Sequence, residues 1–198
     1  EAVSIPYRIY GGLRFYERLE IKNAIAYLKI IFNNNDNPSF ERSISNPTRG
    51  VGEKTLGKIR QTAQKYNISY IKASAKLIDE GSISGRGGSG LRDYLEFVAG
   101  CKSFIEDNSL SDLMELIIKE SGLYSYHAKE AGEKGKTRTE NLEELITATK
   151  NFEQSVKEDK TNTEIAENYL DVISLDAGDR QAAEHDLSLI HIPSPRDP

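Results

Sequence analysis

The chain has 198 residues, 37% hydrophobic and 29% charged, with a formal net charge of −5. That length can bury a real core in one domain with tails, no apolar run approaches the ~18 residues of a membrane span, and the N-terminus lacks a secretory signal pattern, so a cytoplasmic protein without a membrane partner is expected. Cys101 is the only cysteine, which excludes an internal disulfide and suits a small buried side chain, while His127, His185 and His191 are scattered without cysteine companions, so no metal site is expected.

In chain order, Ile5-Pro6-Tyr7-Arg8-Ile9-Tyr10 is β-branched and aromatic and reads as extended. Gly11-Gly12 ends it and is a plausible hinge. Arg14 to Phe32 reads as the first long helix, with Ile21, Ile25, Leu28 and Phe32 as its apolar stripe. After an Asn-rich stop, Asn37 is a natural N-cap with Pro38 at the first helical position, for a short helix that turns Phe40 and Ile44 inward.

The next stretch, Asn46-Pro47-Thr48-Arg49-Gly50-Val51-Gly52-Glu53-Lys54-Thr55-Leu56, reads as a loop entering a helix with Leu56, Ile59 and Ala63 on one face. Gly50 and Gly52 can take positive φ and let another molecule close to the backbone. A helix N-terminus behind such a loop offers free N–H groups and a positive dipole end to a phosphate. Arg49, Lys54 and Lys58 add positive charge, and Thr48 and Thr55 add hydroxyl donors. This is the logic of helix-hairpin-helix DNA binding, in which phosphates are held without reading bases. The competing reading is a plain helix–helix connection. Net acidity does not announce a nucleic-acid binder, but Arg42, Arg49, Lys54, Lys58, Arg60, Lys65 and Lys72 cluster around this loop against Glu53 alone, while acids collect after Glu140.

Ser69 is placed to cap a helix bearing Ile71, Ala75 and Ile78, and Gly81 to Gly90 reads as a loop passing into another helix start. Within it, Gly85-Arg86-Gly87-Gly88-Ser89-Gly90 matches the dinucleotide fingerprint, but no preceding strand or βαβ unit supports that reading. Leu91, Tyr94, Leu95, Val98 and Ile105 define the next helix, and Ser109 with Asp112 opens one bearing Leu113, Leu116 and Ile117, closed by Gly122. Gly132-Glu133-Lys134-Gly135-Lys136-Thr137-Arg138 reads as a second basic loop, with Thr137 and Glu140 as a capping box for a helix bearing Leu142, Leu145, Ile146 and Phe152. Lys134, Gly135, Lys136, Thr137 and Arg138 are the second candidate phosphate contact, a solvated charged loop being the alternative. Ser155 to Thr163 is polar and expected to be mobile, and Glu164 to Leu175 reads as a weaker helix. The expected class is all-α, a multi-helix subdomain of roughly seven to nine helices with helix-hairpin-helix-like DNA-binding loops.

Three stretches together resemble one family. Tyr7 to Lys22 is similar to the junction motif of UvrD/Rep/PcrA-type superfamily-one DNA helicases, Asn46 to Gly52 to the loop of their 2B accessory subdomain, and Gly132 to Leu145 to a later 2B stretch. Order and spacing agree from about Ile5 to Ala183, and the likeness is to bacterial UvrD-like members. The resemblance implies that residues 1–10 end the second motor domain (2A), that 11–183 form the 2B-like helical subdomain, and that 184–198 are a non-native or disordered tail. It also implies a swivel at Gly11-Gly12 and contacts to the duplex backbone from Thr48, Arg49, Gly50, Val51, Gly52, Lys54 and Thr55, with Lys134 to Arg138 as a further contact. Its partners would be duplex DNA and the remaining motor domains, in a cytoplasmic, nucleoid-associated bacterial protein that unwinds DNA in replication or repair. The chain has neither a Gly-x-x-x-x-Gly-Lys-Ser/Thr loop nor a DExx-type magnesium motif, so no catalytic residue and no cofactor is expected here, and ATP and Mg would belong to the parent helicase. A free-standing helical DNA-binding or protein-interaction module without a motor is the alternative.

Overall fold

The computed structural model describes residues 14–156 and 159–188, with side chains described through Leu175. The expected junction strand, the Gly11-Gly12 hinge and residues 189–198 lie outside that range. A 3-10 turn, Phe15–Glu17, leads into α1 (Leu19–Phe32), α2 (Asn37–Ser45), α3 (Glu53–Tyr66), α4 (Tyr70–Asp79), α5 (Gly85–Asp107), α6 (Leu110–Glu120), α7 (Leu123–Ala128), α8 (Glu133–Val156) and α9 (Asn162–Ser188). The described residues are thus all-α, as the periodicity predicts.

Helix α1 is the centre of the molecule. Its apolar residues go round the axis rather than along one stripe: Ile21, Ala24, Ile25, Tyr27, Leu28, Ile30 and Ile31 are all buried. A helix apolar on every side must be enclosed, and α1 packs against α2, α5, α6 and α8. Three aromatic rings join α1, α2 and α5, with Phe40 edge-on to Tyr94 at 5.5 Å and Tyr27 6.1 Å from Tyr94. Their polar ends are satisfied: the Tyr27 hydroxyl donates to the Ser43 carbonyl at 2.7 Å, and Ser43 Oγ hydrogen-bonds the Tyr94 hydroxyl at 2.6 Å.

Local signals account for most boundaries. Ser69 caps α4, and Ser109 and Asp112 form a complete capping box on α6. Gly122, at φ +86°, turns the chain between α6 and α7. Six expectations need correction, four of them on helix ends and faces. The first helix starts at Leu19 rather than Arg14, behind the 3-10 turn. Asp36, not Asn37, caps α2 by accepting from the Ser39 N–H at 3.0 Å, and Asn37 Oδ1 instead accepts from the Tyr70 N–H at 3.0 Å, tying α4 to α2. The buried face of α4 is Ala73, Ser74 and Leu77, so Ala75 is exposed and Ile71 and Ile78 are flanking. Thr161 and Glu164 form a capping box that starts α9 at Asn162, within the stretch expected to be mobile, and the backbone of α9 continues to Ser188.

The two remaining corrections concern glycines. Gly85 to Gly90 is not a loop but the first turns of α5. A Cβ on Gly90 would come within 2.0 Å of the Arg49 carbonyl oxygen, and one on Gly87 within 3.1 Å of the Gly50 carbonyl oxygen. The glycines are there because another backbone passes against this helix, which is why helix propensity is sacrificed. Likewise Lys134 to Arg138 lies inside α8, which begins at Glu133. Thr137 is therefore no N-cap. A Cβ on Gly135 would come within 2.3 Å of the Glu130 carbonyl oxygen and 2.8 Å of that of His127, so this glycine also marks close backbone packing.

Candidate nucleic-acid interface

The loop between α2 and α3 is built from its own backbone and one arginine. Gly50 has φ +75°, the left-handed region, whereas Gly52 is extended and is the N-cap of α3, with no side chain supplying a cap. Val51 is buried and anchors the loop from below. Arg49 turns inward. Its Nη1 donates to the Pro47 carbonyl at 2.9 Å and its Nη2 to the Ser121 carbonyl at 2.7 Å. The guanidinium also stands 5.5 Å from the Tyr27 ring centre and 5.6 Å from that of Tyr94. Its donors are thus committed to the fold, and it acts as a clamp rather than as the mobile cation expected from the sequence.

What faces outward is Thr48, Gly50, Gly52 and Lys54, with Thr55 half-buried behind them. No atom lies within 4 Å of the place where a Gly52 Cβ would be, so the approach to the start of α3 is open. Lys58, one turn further on, is exposed and reaches across to donate to the Ser82 carbonyl at 2.9 Å. Because α5 starts against this loop, its N-terminus lies beside that of α3. Thr55 Oγ1 is 3.7 Å from the position of a Gly87 Cβ, and the Arg86 side chain runs over Gly50, its Cγ 2.9 Å from where a Cβ would stand. Neither helix start has a side-chain cap. Two uncapped N-termini and the exposed cations Lys54, Lys58 and Arg86 therefore converge, an arrangement suited to an anion.

Arg86 was not among the residues singled out from the sequence. It sits inside the glycine-rich stretch that looks like a discarded nucleotide fingerprint. The usable signal is the glycine spacing itself, which lets another backbone pass close by, and here that backbone is the Gly50 loop.

One arginine on α3 engages two acids, one on α2 and one at the start of α3. Arg60 on α3 holds Glu41 of α2 by two prongs, Nε to Oε1 at 2.6 Å and Nη2 to Oε2 at 2.8 Å, and its Nη1 pairs with Glu53. The Arg60 guanidinium holds the Glu41 carboxyl below the usual carboxylate range.

The second basic stretch is differently made. Lys134, Lys136 and Thr137 are exposed on the first turns of α8, and Lys136 pairs loosely with Glu140 at 3.8 Å. Gly135 is buried, and Arg138 is spent on Glu130 at 2.6 Å and on the buried Glu20 of α1 at 3.6 Å. Glu130 also accepts from His127 Nδ1 at 2.6 Å, and Asn141 donates to Glu20 at 2.6 Å. These contacts fix α8 to α7 and α1. They leave two lysines and a threonine facing solvent, not a five-residue loop. Among the described residues no group of His, Cys, Asp or Glu is arranged to hold a metal, and no helix is long and apolar enough to cross a membrane.

Comparison with known proteins bears on this geometry. Residues 1–83, which include the whole α2–α3 loop, match the model of the UvrD-like helicase C-terminal domain. DNA helicase II of Escherichia coli (strain K12) is 42% identical over 179 residues, covering 90% of this chain and 25% of the relative. The chain is related to the UvrD/Rep/PcrA helicases. DNA helicase II of Haemophilus influenzae is 42% identical over 183 residues, and the ATP-dependent DNA helicase PcrA of Bacillus subtilis 32% identical over 157. The chain spans about a quarter of the length of these UvrD-type relatives, 25% of each DNA helicase II and 21% of the Bacillus PcrA. The resemblance read from three stretches of sequence thus extends over most of this helical body.

Proposed function

We propose that this chain is the 2B-like accessory piece of an ATP-dependent DNA helicase, and that it holds duplex DNA by its phosphates to regulate unwinding. The observation that carries this reading is the convergence of the uncapped α3 and α5 N-termini with Lys54, Lys58 and Arg86 exposed around them. Phosphate is the ligand such a site prefers, because helix N-termini and flanking cations hold phosphate oxygens without reading sequence. Thr48, Gly50, Gly52, Lys54 and Thr55 contact the backbone, Arg86 joins them, and Val51 and Arg49 support them from within. Lys134, Lys136 and Thr137 at the start of α8 form a second, weaker contact held in place by Gly135 and Arg138. ATP and Mg belong to the motor domains of the parent enzyme, against which this piece moves about Gly11-Gly12.

The test is duplex binding by the chain across a series of salt concentrations. Roughly three or four phosphate contacts give a log–log slope of about −3 to −4, the same for unrelated base sequences. Lys54→Ala and Arg86→Ala each lower affinity and reduce the slope by about one. Binding that ignores salt, or that depends strongly on base sequence, refutes the backbone-contact reading.

A further inference from the structure

Glu53 is the first residue of α3, and a carboxylate there is well placed to satisfy the helix's own free N–H groups. It would then compete with a phosphate for the same groups. In this structure it is held elsewhere. Arg60 lies seven residues on, hence on the same face of α3, and its Nη1 pairs with the Glu53 carboxylate. The same guanidinium takes Glu41 on α2 in the two-pronged pair described above. One arginine thereby engages both Glu53 at the start of α3 and Glu41 on α2. None of the ion pairs among the described residues uses Lys54, Lys58 or Arg86.

We propose that Arg60 is a positioning residue of the duplex site: without touching DNA, and itself braced by Glu41, it draws the Glu53 carboxylate away from the α3 N-terminus and so leaves that terminus and its lysines open to a phosphate. This rests on the backbone-contact reading given above. It assigns Arg60 a role distinct from a strut between α2 and α3. A strut acts through Glu41, and its loss cannot be repaired at Glu53. Masking acts mainly through Glu53, whose freed carboxylate swings to the helix start and repels an incoming phosphate.

The experiment measures affinity for a short duplex, its salt slope and the thermal midpoint for the chain and six variants. Arg60→Gln weakens binding about two- to fivefold, the scale of one charge at a helix terminus, with a slope close to that of the parent because no phosphate contact is lost. Arg60→Gln/Glu53→Gln recovers most of that affinity. Glu53→Gln alone binds no worse than the parent. Glu41→Gln, which cuts the strut but leaves Glu53 held, also binds like the parent. Should Arg60→Gln lose the fold, Arg60→Lys, which keeps the charge but not the fork, carries the same comparison with an intermediate loss. The proposal is overturned if Arg60→Gln binds normally, if Glu53→Gln fails to rescue it, or if Glu41→Gln reproduces its defect. Lys54→Ala separates the two levels of inference. If it loses affinity and about one unit of slope while Arg60→Gln is silent, the phosphate site stands and the masking falls; if both are silent, both fall.

Discussion

At Gly90 an added Cβ would come within 2.0 Å of the Arg49 carbonyl oxygen, and at Gly135 within 2.3 Å of that of Glu130. Backbone cannot yield as a side-chain tip can, so Gly90→Ala and Gly135→Ala are each expected to destabilise the fold by about 1–3 kcal/mol. At Gly57 and Gly100, also within helices, nothing lies within 4 Å of the added carbon. There alanine only removes backbone entropy from the unfolded chain, so Gly57→Ala and Gly100→Ala are expected to stabilise by about 0.5–1 kcal/mol. Urea midpoints at constant slope distinguish the two pairs, and equal effects at all four positions would contradict the packing described. In the sequence Gly90 and Gly135 read as loop residues and Gly57 and Gly100 as interruptions of a helical pattern, yet all four lie within helices. The difference lies in what passes by in space. The same holds for arginine. Arg49 and Arg138 read as free cations in sequence, yet both are consumed by carbonyls or carboxylates from distant elements, while Arg86 reads as part of a spurious fingerprint and is free.

Between elements, ion pairs fasten α2 to α3 and α7 to α8. Glu41 is held low by its hydrogen bonds with Arg60, and Glu130 is held below its usual range by His127 first and Arg138 second. Both carboxyls have folded-state values depressed below the ordinary value of 4.5. Their contribution is therefore present above that pH and is lost as pH falls through the folded values. Thermal midpoints are expected to decline below about pH 4.5, and Glu130→Gln to flatten the decline; a variant with unchanged acid sensitivity would exclude this pair as a source. At the other end, burial pushes the Cys101 thiol up to about 12. Its neutral form is favoured by the fold, so that stability is complete below the ordinary value of 9.0 and is lost as pH rises towards 12. At pH 8 the native protein is expected to react with a thiol reagent only on unfolding. Element existence was readable because it rests on local signals: Ser69, the Ser109–Asp112 box and the apolar spacing of α3 and α5 all act as the sequence predicts. Boundaries failed where a distant partner intervened. Asn37 is drawn to the Tyr70 N–H and leaves capping to Asp36, and Thr137 is overridden because α8 is anchored a turn earlier through Gly135.

For the whole molecule, the question is whether the α3–α5 convergence is a contact or merely a well-packed turn. The fold keeps the two apart for experiment, because the outward surface of the loop carries none of its core. Gly52 has open space around it and an extended backbone that any residue adopts, so Gly52→Val is expected to leave the thermal midpoint nearly unchanged. Yet its branched side chain would stand over the first N–H groups of α3, where a phosphate has to sit. Thr55 is half-buried with its hydroxyl beside the start of α5, and Thr55→Ala removes at most one hydrogen bond to a charged group, about 1.5–3 kcal/mol of binding. In a full-length helicase containing this piece, both changes are expected to weaken duplex affinity, Gly52→Val the more. Single-strand-stimulated ATP hydrolysis should remain near the parent value, because nucleotide chemistry needs a phosphate-binding loop and magnesium carboxylates that lie in the motor. Duplex affinity, ATPase rate and thermal midpoint measured on the same preparations decide the matter. Unchanged affinity in both variants, with the fold intact, would make this loop a turn; lost affinity together with lost ATPase would place the defect in the motor and not in this surface.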